Sequence, residues 1–299
     1  MPTSTSTIAA RRVSLLPPVP PGEGGRRRIL GDGPRQDAFS SPAGLHRRPW
    51  LARLRRGLEQ DLFVLHYQPI VALQSDGASH HEALLRLADE PHGELVAPGR
   101  FLPAAERYGL IRAIDAMVLE KAVAQLAAPP WGTREGLAGT ALAINISAVS
   151  VTDKSMLVVL ERALARHRVD PAQVIVEITE TAAISDMRSA RSFCAGAQEL
   201  GCAVALDDFG AGFGSFQYLK HLPFNYLKID GGFIRGLPAS RTDQLVVKAL
   251  VGLVRGMGRR TIAEFVEDVP TLELLRGYGV DYAQGFLLGP PRPGLALAS

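Results

Sequence analysis

The feature that most constrains the fold is a regular alternation of short β-like runs with longer helical runs, which begins near Trp50. Eight runs have the apolar and β-branched composition of strands: residues 63–71, 82–87, 141–146, 174–178, 203–206, 226–229, 261–265 and 282–286. Apolar residues at helical spacing lie between most of them, over residues 113–126, 156–167, 188–200, 242–257 and 271–278. Eight strands with intervening helices over about 250 residues predict an α/β fold of the (β/α)₈ barrel type.

A doubly wound open sheet is the alternative for such an alternating pattern. That fold normally carries a glycine-rich phosphate-binding loop after its first strand, and none follows Val71. The pattern therefore favours the barrel over the open sheet.

Residues 1–49 differ in composition from the rest of the chain and are predicted to form a disordered Arg/Pro-rich extension. They contain eight of the 21 prolines, and their eight arginines against three acidic residues give them a charge of +5. The whole chain has a formal net charge of +3, so the remaining residues are slightly acidic. Because the basic character belongs to the extension, no DNA binding is expected of the domain.

The cysteine and apolar content indicate the compartment. Cys194 and Cys202 are the only cysteines, which is too few for a disulfide framework and has no zinc-type spacing. No apolar run reaches the roughly 20 residues that span a bilayer. We therefore expect a cytoplasmic protein without a transmembrane segment.

The apolar runs end on polar residues, and this is the strongest functional signal. The residues concerned are Asn145, Glu177, Glu180, Asp207, Asp208, Lys228, Asp230, Glu264, Glu267 and Gln284. The first of them at each successive strand end lie 20 to 36 residues apart, which is the length of one β/α unit; these are Asn145, Glu177, Asp207, Lys228, Glu264 and Gln284. A barrel gathers the carboxyl ends of its strands on one face, where active sites form, so these side chains are expected to converge.

The residue types predict the chemistry of that face. Several carboxylates and one amide oxygen are hard ligands, which suit Mg²⁺ or Mn²⁺ better than zinc. The adjacent pair Asp207 and Asp208 can serve two ions, and Lys228 supplies a fixed positive charge for phosphoryl displacement. A single strand-end carboxylate is more often a helix cap or a surface ion-pair partner. A series of them after successive strands favours a functional site.

Two local details refine this prediction. Glu177 and Glu180 are three residues apart, so in a strand of period two only one of them can face the site, and the other serves the next loop. Residues 208–215 form a glycine-rich segment that suits a mobile loop over a site.

Together these residues resemble the EAL family of cyclic di-GMP phosphodiesterases over residues 50–292, which leaves residues 293–299 as a short tail. Glu82-Ala83-Leu84-Leu85-Arg86 corresponds to the signature that names the family. Ordered landmarks accompany it: Tyr67-Gln68-Pro69, Asn145-Ile146-Ser147, Glu177-Ile178-Thr179-Glu180, Asp207-Asp208-Phe209-Gly210, Leu227-Lys228-Ile229-Asp230, Glu264-Phe265-Val266-Glu267 and Gln284-Gly285-Phe286. The resemblance implies a TIM-like barrel whose first strand is antiparallel to the others.

The resemblance also implies roles for individual residues. One ion would be held by Glu82, Asn145, Glu177 and Asp207, and a second by Asp207 and Asp208. Lys228 would hold the nucleophilic water, and Glu264 would act beside it as a base or cation-site partner. Glu180 would anchor the loop that starts at Asp208, and Glu267 would support the site. Gln68, Arg86 and Gln284 would contact substrate or support the site.

The resemblance implies a hydrolase that opens cyclic di-GMP to the linear dinucleotide pGpG. Such enzymes use two Mg²⁺ or Mn²⁺ ions and often form homodimers. The alternatives are a non-catalytic cyclic di-GMP receptor and a module that acts through protein contacts. Members of those kinds usually lack some site residues, whereas this chain keeps the full set. The chain departs from the family pattern at Leu87, Ala211, Phe213-Gly214 and Phe265.

Overall fold

The computed structural model of the protein describes residues 48–74, 80–89, 94–128, 140–210 and 219–293. The predicted disordered extension lies outside the described residues except for Arg48 and Pro49, which begin the first helix. Residues 294–299 of the predicted tail also lie outside them.

The described chain alternates strands and helices. Its first half contains α1 (Arg48–Glu59), β1 (Phe63–Ala72), β2 (His80–Asp89), β3 (Glu94–Val96), α2 (Pro98–Arg107), α3 (Ile111–Ala127), β4 (Leu142–Asn145), α4 (Ala148–Val151) and α5 (Ser155–His167). After a 3₁₀ turn at Pro171–Gln173 follow β5 (Val174–Thr179), α6 (Glu180–Ser185), α7 (Met187–Glu199), β6 (Ala203–Phe209), β7 (Tyr226–Ile229), α8 (Gly231–Ile234), α9 (Arg241–Gly256), β8 (Arg260–Ala263), α10 (Val269–Tyr278) and β9 (Tyr282–Ala283).

Eight of the strands close into a barrel in the order β1-β9-β8-β7-β6-β5-β4-β2, and β1 pairs with β2 to complete the ring. Strand β1 is antiparallel to both of its neighbours, whereas the pairs from β2 through β4 to β9 are parallel. Strand β3 lies outside the ring as a short antiparallel addition to β2. The prediction of a TIM-like barrel with an antiparallel first strand is therefore confirmed.

Apolar residues pack on both faces of the barrel sheet, in two clusters. The larger core lies between the strands and the surrounding helices. A smaller cluster, made mostly of short or branched side chains, contains Ile70, Ala141, Ala143, Ile175, Ala205, Ile262 and Tyr282. The rings of His80, Tyr226 and Tyr282 pack on one another at the amino-terminal end of their strands, with centroids 4.9 to 5.8 Å apart. This packing leaves the carboxyl-terminal end of the barrel to polar side chains.

Short helices follow several strands at the carboxyl-terminal end. Ser147, Thr179 and Asp230 are the N-caps of α4, α6 and α8, and each side chain accepts a hydrogen bond from a backbone amide in the first turn. The periodicity of the sequence did not predict these helices, because four to six residues are too few to show a helical repeat. None of the described helices combines the length and apolar character that a membrane span requires.

Candidate active site

Lys228 lies at the centre of a buried group of carboxylates. Its Nζ is 2.9 Å from Asp207 Oδ1, 3.0 Å from Glu264 Oε1, 3.1 Å from Glu177 Oε2 and 3.6 Å from Glu82 Oε2. The lysine side chain is 1% exposed. We call Lys228 and these four carboxylates the Lys228 cluster. One cation is therefore surrounded by four groups that can each carry a negative charge.

Two side-chain amides bind Glu82, the carboxylate of the Lys228 cluster that lies farthest from Lys228 Nζ. Glu82 Oε1 accepts a hydrogen bond of 2.6 Å from Asn145 Nδ2, and Glu82 Oε2 accepts one of 2.6 Å from Gln284 Nε2. Gln284 Nε2 also lies 3.2 Å from Gln68 Oε1, while Gln68 Nε2 donates to the carbonyl of Gly289. Gln68 and Gln284, which were predicted to contact substrate or support the site, are thus buried side chains that contact the site carboxylate Glu82 or its neighbours.

Strand register explains why these distant positions meet. Gln68 on β1 is paired with Glu82 on β2, and Asn145 on β4 is paired with Glu177 on β5. Side chains of paired residues on one face lie about 5 Å apart, so backbone pairing makes the two members of each pair neighbours. The closed barrel then brings Lys228 from β7 into reach of both pairs.

Strand β6 contributes two successive carboxylates because its backbone is irregular. The pairing of β6 with β7 shifts register between Leu206 and Phe209, and Asp208 has a left-handed backbone with φ of 55°. Successive strand residues normally point to opposite faces, and such a bulge interrupts that alternation. Carboxylate oxygens of Asp207, Asp208 and Glu264 consequently lie within 4.8 Å of one another.

The chemistry of these donors fits divalent cations. Among the described residues, Glu177 Oε1 and Glu264 Oε2 are buried and have no hydrogen-bond partner. A buried charged oxygen without a partner is costly, and a bound cation would satisfy it. Hard oxygen ligands of this kind suit Mg²⁺ or Mn²⁺.

The pKa values of Glu177, Glu264 and Asp208 point the same way. The pKa of Glu82 is lowered instead, because burial is outweighed there by Lys228 and by the hydrogen bonds from Gln284 and Asn145. Burial raises the pKa of Glu177 well above its usual value, despite the opposing effect of Lys228, and raises the pKa of Glu264 to about 8. Burial alone would lower the pKa of Lys228, but the surrounding carboxylates outweigh it and raise that pKa. Burial also raises the pKa of Asp208, with a further contribution from the charge of Asp207. One ammonium is therefore too little positive charge for all these carboxylates to ionise at neutral pH.

Glu180 lies beside the Lys228 cluster without belonging to it. It begins α6, and its Oε2 accepts a hydrogen bond of 2.7 Å from the amide of Gly210, directly after β6. Gly210 has φ of 97°, and a Cβ there would be 2.3 Å from the ring of Phe233, so only glycine fits. Glu180 and Phe233 thus contact the start of the predicted loop. The rest of the loop, residues 211–218, lies outside the described residues, as do the departures from the family pattern at Ala211 and Phe213-Gly214.

Two predicted site residues lie further from the Lys228 cluster. Arg86 is half-buried on β2, four residues after Glu82 and therefore on the same strand face, and it donates to the carbonyl of Leu85. Glu267 is exposed, and no hydrogen bond or ion pair among the described residues joins it to the Lys228 cluster. The structure does not bring Glu267 together with the other predicted residues.

The structure also contains features that the sequence patterns did not reveal. Phe265, directly after Glu264, has a left-handed backbone with φ of 53°, and its ring lies against Gly231 with the guanidinium of Arg235 4.0 Å from the ring centre. Asp115 is a buried carboxylate on α3 that approaches the strand end after Asn145. An acidic residue among the apolar residues of a helix was the one available signal for Asp115.

Comparison with known proteins agrees with this architecture. The profile of the EAL domain family matches residues 51–291. The chain is 36% identical over 241 residues to the cyclic di-GMP phosphodiesterase PdeF of Escherichia coli, a match that covers 81% of this chain and 31% of PdeF. It is 39% identical over 240 residues to the bifunctional diguanylate cyclase/cyclic di-GMP phosphodiesterase MucR of Pseudomonas aeruginosa, covering 80% of this chain and 34% of MucR.

Solved structures of EAL domains have the same fold as this chain. The phosphodiesterase of Pseudomonas aeruginosa MucR in complex with c-di-GMP superimposes with a TM-score of 0.76 and 38% identity, covering 82% of this chain and 98% of that one. The FimX EAL domain of the same species, also bound to c-di-GMP, gives a TM-score of 0.76 and 31% identity, with 83% and 98% coverage. The chain spans about a third of the length of the curated relatives it matches. Because the family profile covers all eight strands of the barrel, the chain belongs to the EAL domain family.

Proposed function

We propose that this chain is a divalent-cation-dependent phosphodiesterase that hydrolyses cyclic di-GMP to the linear dinucleotide pGpG. The observation that carries the proposal is the Lys228 cluster, which is complete and buried at the carboxyl-terminal end of the barrel. Relatives named cyclic di-GMP phosphodiesterases support the substrate. A receptor that only binds the nucleotide would not need a lysine and four carboxylates in one buried site.

The cations would be held by the oxygen donors around Lys228. Glu82, Asn145, Glu177 and Asp207 would hold one ion, and Asp207 with Asp208 would hold the other. Glu177 Oε1, which lacks a hydrogen-bond partner among the described residues, is available for this purpose. When bound, two such ions supply charge stabilisation for the attacking and leaving oxygens of a phosphoryl displacement.

The chain's own residues would orient the reacting groups, stabilise their charge and accept a proton. Lys228 places a permanent positive charge beside the attacking water and the phosphate, because its raised pKa keeps it protonated. Glu264, 3.0 Å from that ammonium, is positioned to take the proton of the water once it is ionised. Its pKa of about 8 places that ionisation at mildly alkaline pH unless bound cations lower the pKa. The water oxygen forms a bond to phosphorus and the bond to one ribose 3′ oxygen breaks. The 3′ oxygen takes up a proton from solvent and leaves as a hydroxyl, and the linear product keeps a 5′-phosphate. Gln284 and Asn145 keep Glu82 in a fixed orientation during this step.

The test is incubation of the purified protein with cyclic di-GMP and Mg²⁺ or Mn²⁺, with chromatographic detection of pGpG. We expect product from the wild type and a loss of at least about a hundredfold in Glu82→Ala, because a donor and its two amide contacts disappear together. Glu120→Ala is the matched control, since Glu120 forms its ion pair with Arg166 at the surface. It should keep wild-type turnover.

Two results would count against the proposal. Tight binding of cyclic di-GMP without pGpG formation in either metal would favour the receptor alternative. Equal turnover in Glu82→Ala and wild type would show that the Lys228 cluster is not the reaction site. Homodimer formation, a cytoplasmic location and the absence of DNA binding stay predictions.

A further inference from the structure

A buried carboxylate outside the Lys228 cluster contacts the chain just after Asn145. Asp115 lies on α3 and is 6% exposed. Its Oδ2 accepts two hydrogen bonds from one residue, 3.1 Å from the amide of Ser147 and 2.6 Å from the hydroxyl of Ser147. Hydrogen bonds to a charged acceptor are roughly twice as strong as neutral ones, so this contact holds both the backbone and the side chain of Ser147.

Ser147 lies two residues after Asn145, in the turn between β4 and α4. Its hydroxyl also caps α4 by accepting from the amide of Ser150. On the other side, the amide of Ile146 donates to the carbonyl of Glu177 at 2.9 Å. The backbone directly after Asn145 is therefore fixed from two directions, by Glu177 on β5 and by Asp115 on α3.

The orientation of Asn145 depends on this backbone. Asn145 is the last residue of β4, and its Nδ2 already donates to Glu82 at 2.6 Å, so its Oδ1 is the atom left for a cation. A strand end that is free to change its backbone angles would move Oδ1 away from the carboxylates. Helix α3 contributes no residue to the Lys228 cluster, yet it carries the acceptor that prevents such movement.

We propose that Asp115 is a positioning residue for the divalent-cation site, because by holding Ser147 it orients the amide oxygen of Asn145. The proposal rests on the proposed function in so far as Asn145 is taken as a cation ligand. Residues that support ligands from outside typically change metal affinity by about 10- to 100-fold when they are removed. Since Asp115 acts across two residues, we expect the lower end of that range.

The chain provides a matched control at the opposite end of the barrel. Asp281 Oδ2 accepts from the amide of Thr261 at 2.8 Å and from its hydroxyl at 3.0 Å, the same double contact as that between Asp115 and Ser147. Thr261 lies near the start of β8, whereas Asn145 lies at the end of β4. Asp281→Ala thus removes an equivalent contact without touching the strand ends that carry the site.

The experiment measures Mn²⁺ binding directly, by following the electron paramagnetic resonance signal of free Mn²⁺ as metal-free protein is titrated. Circular dichroism melts confirm that every variant is folded at the assay temperature. We expect Asp115→Ala to weaken Mn²⁺ binding by about tenfold. Asp115→Asn, whose amide oxygen can still accept both hydrogen bonds, should stay within about threefold of wild type, and Ser147→Ala should be intermediate. Asp281→Ala should lower the melting temperature and leave Mn²⁺ affinity unchanged.

The outcomes separate a positioning role from a purely structural one. Unchanged Mn²⁺ affinity in folded Asp115→Ala would overturn the proposal, and so would equal losses in Asp115→Ala and Asp281→Ala, since these would reflect general destabilisation. Absence of Mn²⁺ binding in the wild type would overturn it as well. Mn²⁺ binding with the expected pattern but without pGpG formation would refute the proposed phosphodiesterase while leaving the role of Asp115 intact.

Discussion

Replacing Lys228 with methionine removes the only ammonium of the Lys228 cluster and nearly conserves the side-chain volume. Four carboxylates within 3.6 Å of Nζ then lose their counter-charge in a site where the lysine is 1% exposed. Removing one partner of a buried ion pair costs about 3–5 kcal/mol in the free energy of unfolding. In a domain of this size each kcal/mol changes the melting temperature by about 2–4 °C, so we expect metal-free Lys228→Met to melt about 6–20 °C below wild type at pH 8.

The cost should depend on pH and on metal, which distinguishes charge from packing. At pH 6 the difference should shrink, because Glu177 and Glu264 have raised pKa values and take up protons that replace the missing charge. Added Mn²⁺ should recover part of the loss at pH 8. Differential scanning calorimetry in chelator and in Mn²⁺ at both pH values measures these effects.

Lys121→Met is the matched control for this measurement. Lys121 pairs with Asp61, whose side chain is 75% exposed, and also donates to the carbonyl of Phe63 at 2.6 Å. Its loss should therefore cost about 1–2 kcal/mol, less than the loss of Lys228. A melting temperature for metal-free Lys228→Met within about 2 °C of wild type at pH 8 would refute the reasoning. A large decrease that is the same at pH 6 and pH 8 would also contradict it, because the loss would then come from packing.

Two further predictions concern neighbouring residues. In chelator, unfolding free energy should fall between pH 6.5 and pH 8, by up to about 1.4 kcal/mol per pH unit, since folded Glu264 has a pKa of about 8 against 4.5 unfolded and retains a proton that the unfolded chain releases. Buried His80, whose pKa is lowered to about 4, makes stability rise with pH, but only below pH 6.5. Urea titrations that show stability rising between pH 6.5 and pH 8 would contradict the assignment for Glu264. Gly231→Ala should cost about 1–3 kcal/mol, because the new Cβ would lie 2.3 Å from the Phe265 ring. In a Phe265→Gly background that cost should vanish, and a cost that persists in the double variant would show that the ring is not its cause.

Much of the site could be predicted from sequence because strand ends carry their polar residues at regular intervals. Glu177 and Lys228 each close an apolar run, and a barrel places the ends of its parallel strands on one face whatever the details of packing. Glu267 follows the same pattern in sequence but is exposed in the structure. The chain leaves β8 at Ala263, so the strand pattern no longer indicates the direction of a residue four positions later.

The sequence by itself determined the strand and helix alternation, the barrel, and the residue types at the strand ends, because these depend on local periodicity and chain order. Only the tertiary structure decided which atoms meet. The register shift in β6 that presents Asp207 and Asp208 together, and the contact of Asp115 with Ser147 across 32 residues, arise from pairing and packing between separate elements. Long-range contacts of this kind leave no local pattern, because each depends on how the closed barrel sets the distance between segments that are remote along the chain.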